Sequence, residues 1–334
     1  MTGLIEEAAG ARLGWTSPRL HSWYAEERIL RQIKNGLTIE IGRVGNAEFG
    51  SEYRDQVGLG AGTDPLDWAN RRVALSAGGW AVSGIRFRGR DLAFPFIDVI
   101  ATSEPPTPDG LAVVAEGLLP AYEAFAPLCL RVDVPGPAGL LQAVEVDPRY
   151  GQRCAVDLYV VAGLVEDLRA RPRADSYEVV TVRPGPAAVL AQRVAEIYAQ
   201  NGELNPQQRM WAQPEDEDSL AECAEQGLLF EVLVDGEPAG VVASIRYDAH
   251  AMTGFSVQEL CLDAHHRGKR LAAGVLQRLI DALPVQTGDV LWGTIHPDNT
   301  ASLRNSMTVG REIVGAYVWI TPASLPGMPQ QTTH

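Results

Sequence analysis

The sequence predicts an α/β fold built on a mixed sheet, because strand-like and helix-like runs alternate along most of the chain. From Tyr177 onward the order of predicted elements is β, α, α, β, β, β, α, β, α, β. Residues 80–163 follow the later part of the same order with little residue identity. We therefore expect a chain of 334 residues to form two similar α/β domains.

The C-terminal elements each have a local signal. Asp235-Gly236 predicts a hairpin within residues 228–247, because this pair tolerates the positive φ of a tight turn. A strand is predicted at 255–264, and the helix after it carries one apolar stripe of Ala272, Val275, Leu276, Leu279, Ile280 and Leu283. The other predicted strands are 177–183, 289–295 and 313–320, and the other helices are 187–226, interrupted near Asn205-Pro206, and 299–309.

A segment rich in Pro, Arg and Asp, residues 168–177, predicts the domain boundary. We place it near Ala174, which gives domains at 1–174 and 175–322. Residues 323–334 have no periodicity and are predicted to be a loose tail.

Composition excludes several classes of protein. A net charge of −14 disfavours nucleic-acid binding, because that binding depends on basic residues that neutralise phosphates. No apolar run has the ~20 residues of a membrane helix, and the N-terminal stretch lacks a targeting pattern, so no membrane association and a cytoplasmic location are expected. The four cysteines are scattered without ligand spacing, so no metal is expected.

One local exception to the acidic balance lies between the strand at 255–264 and the helix that follows. This cationic turn, residues 263–270, contains Arg267, Gly268, Lys269 and Arg270. Cations at a helix N-terminus are unfavourable for the helix dipole, so an anion is expected there. The unpaired amides of the first helical turn suit a phosphate, and a glycine followed by small Ala272 allows its close approach.

This strand, turn and helix resemble the acyl-CoA-binding motif of the GNAT N-acyltransferase superfamily. The motif, Arg/Gln-x-x-Gly-x-Gly/Ala, matches Arg267-x-x-Arg270-x-Ala272, with Arg270 where the family usually has glycine. A later stretch with Asn299 and Gly310 resembles the second family signature, and the resemblance covers residues 176–321. It implies a GNAT fold, with acyl-CoA as the donor.

The resemblance also implies which residues contact the donor. The pantetheine arm would lie between two splayed strands and hydrogen-bond to the backbone near Cys261 to Asp263, with a backbone amide near Leu262 as oxyanion donor. The implied cofactor-binding residues are Cys261, Leu262, Asp263, Arg267, Gly268, Lys269, Arg270, Leu271, Ala272 and Asn299.

Glu259 is the candidate general base, because a carboxylate in a two-sided sheet is costly unless it faces a cleft or a partner, and burial raises its pKa. Some family members carry the acid one position earlier, which falls here on Gln258. The usual tyrosine acid is replaced by Ser306, and Tyr317 or His296 are candidate substitutes.

The N-terminal domain lacks the features of a second donor site. Where its phosphate turn is expected, residues 102–109 contain three prolines, which lack N–H donors, and Glu104 and Asp109, which repel phosphate. We expect a degenerate GNAT-like domain, as in tandem GNATs such as mycothiol synthases.

The predicted function is acyl transfer from a CoA thioester to an amine of a small molecule. Two alternatives remain open. An acyl carrier protein could deliver the phosphopantetheine thioester to the cationic turn, or the chain could be a non-catalytic acyl-CoA-binding module. An acceptor with a positive charge would suit the acidic cluster at Glu215–Asp218.

Overall fold

The protein forms two compact units in the computed structural model, which describes residues 2–58 and 64–330. Unit 1 contains the described residues up to Tyr159, together with Ala249–Ala251 and Val314–Pro329. Unit 2 consists mainly of Val160–Asp248 and Met252–Ile313. None of the helices in the described residues has the length and hydropathy of a membrane span.

Unit 1 begins with helices and continues with a sheet. Its helices are α1 (Thr2–Leu13), α2 (Pro18–Trp23), α3 (Glu26–Gly42), α4 (Ala47–Val57), α5 (Pro65–Trp68), α6 (Pro108–Leu118) and α7 (Pro137–Glu145). Its strands are β1 (Arg71–Ala74), β2 (Trp80–Phe87), β3 (Pro95–Thr102), β4 (Leu130–Val134), the first part of β5 (Ala155–Leu164) and most of β11 (Glu312–Ile320). The strand order is β1-β2-β3-β4-β11, in which only the β3–β4 pair is parallel.

Unit 2 contains the elements that the sequence predicted for the C-terminal half, except for the last strand, most of which lies in unit 1. Its helices are α8 (Val165–Ala170), α9 (Ala187–Leu204), α10 (Glu217–Glu225), α11 (Leu271–Ala282) and α12 (Thr300–Thr308). Its strands are β6 (Val180–Pro184), β7 (Leu229–Val234), β8 (Glu237–Arg246), β9 (Gly254–Leu262) and β10 (Val290–Ile295). The order β10-β9-β8-β7-β6 is antiparallel except for the parallel β9–β10 pair.

The predicted hairpin is confirmed at β7 and β8, where Asp235 and Gly236 adopt φ values of 51° and 87°. The predicted interruption of the long helix is also confirmed. Helix α9 ends at Leu204, a 3₁₀ segment covers Pro206–Met210, and α10 begins at Glu217. A proline that lacks an amide donor explains why α9 does not continue.

Strand β9 is covered on both faces within unit 2. Phe255 and Leu262 pack in a cluster with the apolar stripe of α11, including Val275 and Leu279. Cys261 packs in a second cluster with residues of α9 and α10, among them Val194 and Leu220. These two faces are called below the α11 face and the α9 face.

The two units repeat the same local order, which supports the predicted internal repeat. A helix joins β3 to β4 and β9 to β10, and both strand pairs are parallel. Each repeat also has a bulge of one residue, at Ile100 of β3 and at Gln258 of β9. By this register Ala101 occupies in unit 1 the place of Glu259 in unit 2.

The compact units differ from the predicted domains 1–174 and 175–322. The chain enters unit 2 within β5, after Tyr159, and leaves it within β11, after Ile313. Residues 165–174 belong to unit 2 because Leu168 is buried in its core and the Arg169 guanidinium donates to the carbonyl oxygens of Ile280 and Leu283 at the end of α11.

The described part of the predicted tail, residues 323–330, does not project freely from the protein. Met328 is 4% exposed in a cluster with Phe96, Cys129 and Trp319. The Gly327 amide donates to the Leu128 carbonyl at 3.0 Å. Residues 331–334 lie outside the described part of the chain.

Candidate active site

The candidate site is built around the place where the pairing of β9 and β10 ends. The paired residues are Val290 with Gly254, Leu291 with Phe255 and Trp292 with Ser256. Both strands continue beyond this register, β9 to Leu262 and β10 to Ile295. The place just beyond the Trp292–Ser256 pair is called the fork. Unpaired backbone groups at a parallel pair that opens can hydrogen-bond to an extended ligand.

The backbone of β9 faces the fork at alternate residues. The Asp263 amide donates to the Ala239 carbonyl at 2.9 Å, so Asp263 bonds towards β8. In an antiparallel ladder the bonding direction alternates, so the backbone groups of Leu260 and Leu262 point away from β8 and towards β10. Of the predicted residues Cys261, Leu262 and Asp263, Leu262 is therefore the one whose amide faces the fork.

The cationic turn lies between the end of β9 and the start of α11. A 3₁₀ segment covers Ala264–His266, Gly268 has a φ of 75°, and Arg270 is the N-cap residue of α11 with a φ of 59°. The side chains of Arg267, Lys269 and Arg270 are exposed. The left-handed conformation explains why the family favours glycine where this chain has Arg270, since a Cβ atom is strained there.

A neighbouring serine holds the start of α11 in place. The Ser176 hydroxyl donates to the Arg270 carbonyl at 3.1 Å and accepts from the Gly274 amide at 3.2 Å. The amides of Leu271, Ala272 and Ala273 precede any intrahelical acceptor, so they remain available to a ligand. Three open amides beside exposed cations fit a diphosphate group.

Glu259 lies on the α9 face beside the bulge of β9. Its side chain is buried, with 2% exposed, and accepts hydrogen bonds from the Tyr198 hydroxyl at 3.0 Å and the Glu215 amide at 3.4 Å. Burial raises the pKa of Glu259 from an ordinary 4.5 to about 7, although these two hydrogen bonds oppose the rise. Gln258 is the additional residue of the bulge, so Glu259 is the carboxylate that reaches α9.

A cavity of about 270 Å³ opens along α9 beside Tyr198. It is called the α9 cavity and is lined by Ala195, Tyr198, Ala199, Gly202, Gln208, Arg209, Ala212, Gln213 and Pro214. Tyr198 is therefore part of the cavity wall and also the hydrogen-bond donor to Glu259. The cavity is large enough for a small molecule or for one end of a larger one.

The two other predicted catalytic residues are Ser306 and Tyr317. Ser306 is 0% exposed, and its hydroxyl donates to the Leu303 carbonyl at 2.8 Å. The hydroxyl proton is therefore engaged in a hydrogen bond within α12. Tyr317 lies in unit 1, where it pairs with Asp133 across β11 and β4, and burial raises its pKa above the ordinary range. The structure does not bring Tyr317 into the same unit as Glu259.

Asn299 and His296 lie at the C-terminal end of β10. Asn299 is the N-cap of α12, and its side chain accepts from the Ser302 amide at 3.2 Å. The His296 ring stacks on Trp211 with centroids 5.7 Å apart. The second family signature thus begins α12, and its asparagine has a structural role in this conformation.

Asp263, His265 and His266 bring three potential metal ligands within 4.8 Å of one another. Asp263 already forms an ion pair with Arg193 of α9 at 2.5 Å. The surrounding turn is cationic, which disfavours a metal ion. The donor set therefore does not assign a metal to this turn.

Sequence reasoning missed Tyr198, the α9 cavity and the ion pair between Arg193 and Asp263. Tyr198 follows Val194 by four residues, so it reads as part of the apolar stripe of α9. The periodicity places it on the buried side of the helix, but only the tertiary structure shows that its hydroxyl reaches Glu259.

Comparisons with known proteins agree with this geometry. Residues 192–305 match a family model described as the acetyltransferase (GNAT) family. A GCN5-related N-acetyltransferase from Sphaerobacter thermophilus is 16% identical, with 84% of this chain and 87% of that chain covered and a TM-score of 0.50. At this identity the likeness concerns the fold.

Two further structures are more distant. A GNAT-family acetyltransferase from Colwellia psychrerythraea is 12% identical, covering 73% of this chain and 81% of its own, with a TM-score of 0.43. A tandem GNAT protein from the clavulanic acid biosynthesis pathway is 15% identical, with 83% of this chain and 96% of that chain covered and a TM-score of 0.39. The search of curated proteins found no match. From the family match and the fold, the chain contains a GNAT acetyltransferase domain that includes residues 192–305, and it is an acyl-transferring enzyme.

Proposed function

We propose that unit 2 transfers an acyl group from acyl-CoA to the amine of a small molecule held in the α9 cavity. The observation that carries this proposal is the buried Glu259, whose pKa of about 7 suits a base near neutral pH. Its neighbour Tyr198 lines the α9 cavity, which supports an acceptor on this side of β9.

The donor site follows from the fork and the cationic turn. The amides at the start of α11 and the side chains of Arg267, Lys269 and Arg270 would bind the phosphates of CoA. The amides of Leu260 and Leu262 would bind the pantetheine arm and the carbonyl oxygen of the thioester.

In the reaction, Glu259 accepts a proton from the acceptor ammonium group. The free amine then forms a bond from its nitrogen to the thioester carbonyl carbon, the nitrogen loses its second proton to solvent, the C–S bond breaks, and the CoA thiolate leaves. Because a thiol has a pKa of ~8.5, the thiolate can take its proton from solvent. Neither Ser306, bonded within α12, nor Tyr317, which lies in unit 1, is needed as an acid.

The exposed cations of the turn also favour a second candidate, in which an acyl carrier protein delivers the same thioester. Carrier proteins present acidic surfaces, and Arg267, Lys269 and Arg270 are accessible to such a partner. The chemistry at Glu259 would be unchanged.

The test measures thiol release with acetyl-CoA and a panel of primary amines, and separately CoA binding by calorimetry. We expect turnover that Glu259→Gln lowers by about a hundredfold without weakening CoA binding. Equal rates for wild type and Glu259→Gln would remove Glu259 as base. Tight CoA binding without turnover would favour the non-catalytic module, and activity only with an acyl carrier protein would favour the second candidate.

A further inference from the structure

Arg311 carries a buried positive charge that the described residues leave unpaired. The residue is 5% exposed, and its Nε and Nη1 atoms have no hydrogen-bond partner within the described ranges. Burial lowers the pKa of Arg311 to about 10, with no contribution from an acidic neighbour. The side chain therefore remains charged at neutral pH, in a place where an uncompensated charge is unfavourable.

The guanidinium lies at the base of the fork. A methyl group placed on Gly293 would be 3.6 Å from Arg311 Nη1 and 3.8 Å from Val257 Cβ. Val257 and Gly293 directly follow Ser256 and Trp292, the last paired residues of β9 and β10. Arg311 therefore reaches the point at which the two strands stop pairing.

Arg311 and Glu259 approach β9 from different sides. Val257 packs with the cluster on the α11 face, whereas Glu259 bonds to Tyr198 on the α9 face. Because the α9 cavity is on the side of Glu259, a ligand group that meets Arg311 belongs to the donor rather than to the acceptor.

We infer that Arg311 binds the terminal carboxylate of the transferred acyl chain, so that the preferred donors are ω-carboxyacyl-CoA thioesters such as malonyl-CoA or succinyl-CoA. This inference rests on the proposed function. A guanidinium pairs with a carboxylate through two parallel hydrogen bonds along one edge, formed either by Nε with Nη2 or by Nη1 with Nη2, and each of these edges of Arg311 includes one open atom. The carboxylate takes no part in the chemistry and is carried unchanged into the amide product.

The absence of a Cβ atom at Gly293 leaves space beside the guanidinium. An acyl chain that extends from the thioester towards the base of the fork would end beside Gly293, next to the guanidinium. A short neutral acyl group would leave Arg311 unpaired in the complex. A carboxylate at the end of the chain would remove that unfavourable state.

The experiment compares succinyl-CoA with butyryl-CoA, which has the same chain length and a neutral end. The enzymes are wild type, Arg311→Met, Arg311→Lys and the control Arg304→Met, which removes an exposed arginine of α12. We expect wild type to have a kcat/KM for succinyl-CoA about a hundredfold above that for butyryl-CoA. Arg311→Met should abolish this ratio, Arg311→Lys should retain part of it, and Arg304→Met should leave it unchanged.

Binding of two unreactive thioethers, S-(3-carboxypropyl)-CoA and S-butyl-CoA, tests the same preference without turnover. Thermal unfolding shows whether Arg311→Met is folded. If it is not folded, the inference is tested by the preference of wild type and of Arg311→Lys for succinyl-CoA over butyryl-CoA. Equal wild-type affinity and rate for the two chain ends would overturn the inference. So would an Arg311→Met effect confined to the KM of a carboxylate-bearing acceptor, since the anion would then belong to the acceptor.

The proposed function can fail separately from this inference. If acetyl-CoA supports turnover but succinyl-CoA has no advantage over butyryl-CoA, only the inference about Arg311 is overturned. If CoA itself does not bind and no thioester reacts, the proposed function is overturned as well.

Discussion

The Tyr198 hydroxyl donates a hydrogen bond of 3.0 Å to Glu259 Oε1 and so connects the wall of the α9 cavity to β9. A hydrogen bond to the ionised carboxylate favours ionisation. Tyr198 therefore acts as a positioning residue that also lowers the pKa of the proposed base.

Replacement of Tyr198 by Phe should raise the pKa of Glu259 further above its ordinary value. We expect the acidic limb of the kcat/KM profile to move to higher pH, with a rate at pH 6.5 lowered by roughly three- to tenfold and a smaller loss at pH 9. The measurement is a pH profile with saturating acyl-CoA. A uniform loss at every pH would show that Tyr198 only supports the fold.

The burial of Glu259 should make stability depend on pH. Its pKa is about 7 in the folded state and about 4.5 when unfolded, so the folded protein binds the additional proton between these values. The contribution to stability is fully present below pH 4.5 and is lost as the pH rises through 7.

Glu259→Gln should remove that dependence. At pH 8 the variant should be more stable than wild type by roughly 3 kcal/mol, while at pH 4.5 the two should be similar. Chemical denaturation at both pH values measures the difference. Equal stability at pH 8 would mean that the carboxylate is solvated.

Reversal of the charges in the cationic turn should weaken binding of the phosphates. The variant with Arg267, Lys269 and Arg270 all changed to Glu should raise the Kd for CoA by at least about a hundredfold. Acetylpantetheine lacks the diphosphate and is the matched control substrate, so its kcat/KM should stay close to that of wild type. Unchanged CoA affinity would show that the phosphates bind elsewhere.

Arg270→Gly should relieve backbone strain at the start of α11. Because residue 270 has a φ of 59°, the Arg270→Gly variant should be about 1 kcal/mol more stable than the Arg270→Ala variant. Both substitutions remove the charge. The comparison of Arg270→Gly with Arg270→Ala by thermal unfolding separates backbone strain from electrostatics. Equal unfolding temperatures would contradict the expected strain.

A larger side chain in the α9 cavity should exclude the acceptor. Ala199→Phe should raise the KM of the amine by about tenfold or more and leave the KM of acyl-CoA unchanged, because Ala199 lines the cavity and is not part of the fork. Steady-state kinetics with each substrate varied in turn measures both constants. An equal rise in both would place the cavity outside the acceptor site.

Much of unit 2 could be predicted because its signals are local. A turn dipeptide at Asp235-Gly236, an apolar stripe along α11 and a cluster of charges before it each depend on neighbouring residues only. The cationic turn belongs to this class, since a helix start forms its own anion site.

The remaining features depend on contacts between residues far apart in the sequence. The bulge at Gln258 is set by pairing with β8, and it brings Glu259 to the α9 face. Arg311 reads as an ordinary charged residue near a glycine until its burial is seen. The membership of β11 in unit 1 follows from its pairing with β4, some 180 residues earlier in the chain.

That pairing has a consequence for how the protein folds during synthesis. The strand that completes the sheet of unit 1 leaves the ribosome only after all the residues of α9 to α12 have been made. The edge of β4 that pairs with β11 therefore has no partner strand while the second half is translated. An exposed strand edge of this kind can pair with another chain. We expect a truncation after Ala174 to aggregate rather than yield a folded N-terminal fragment.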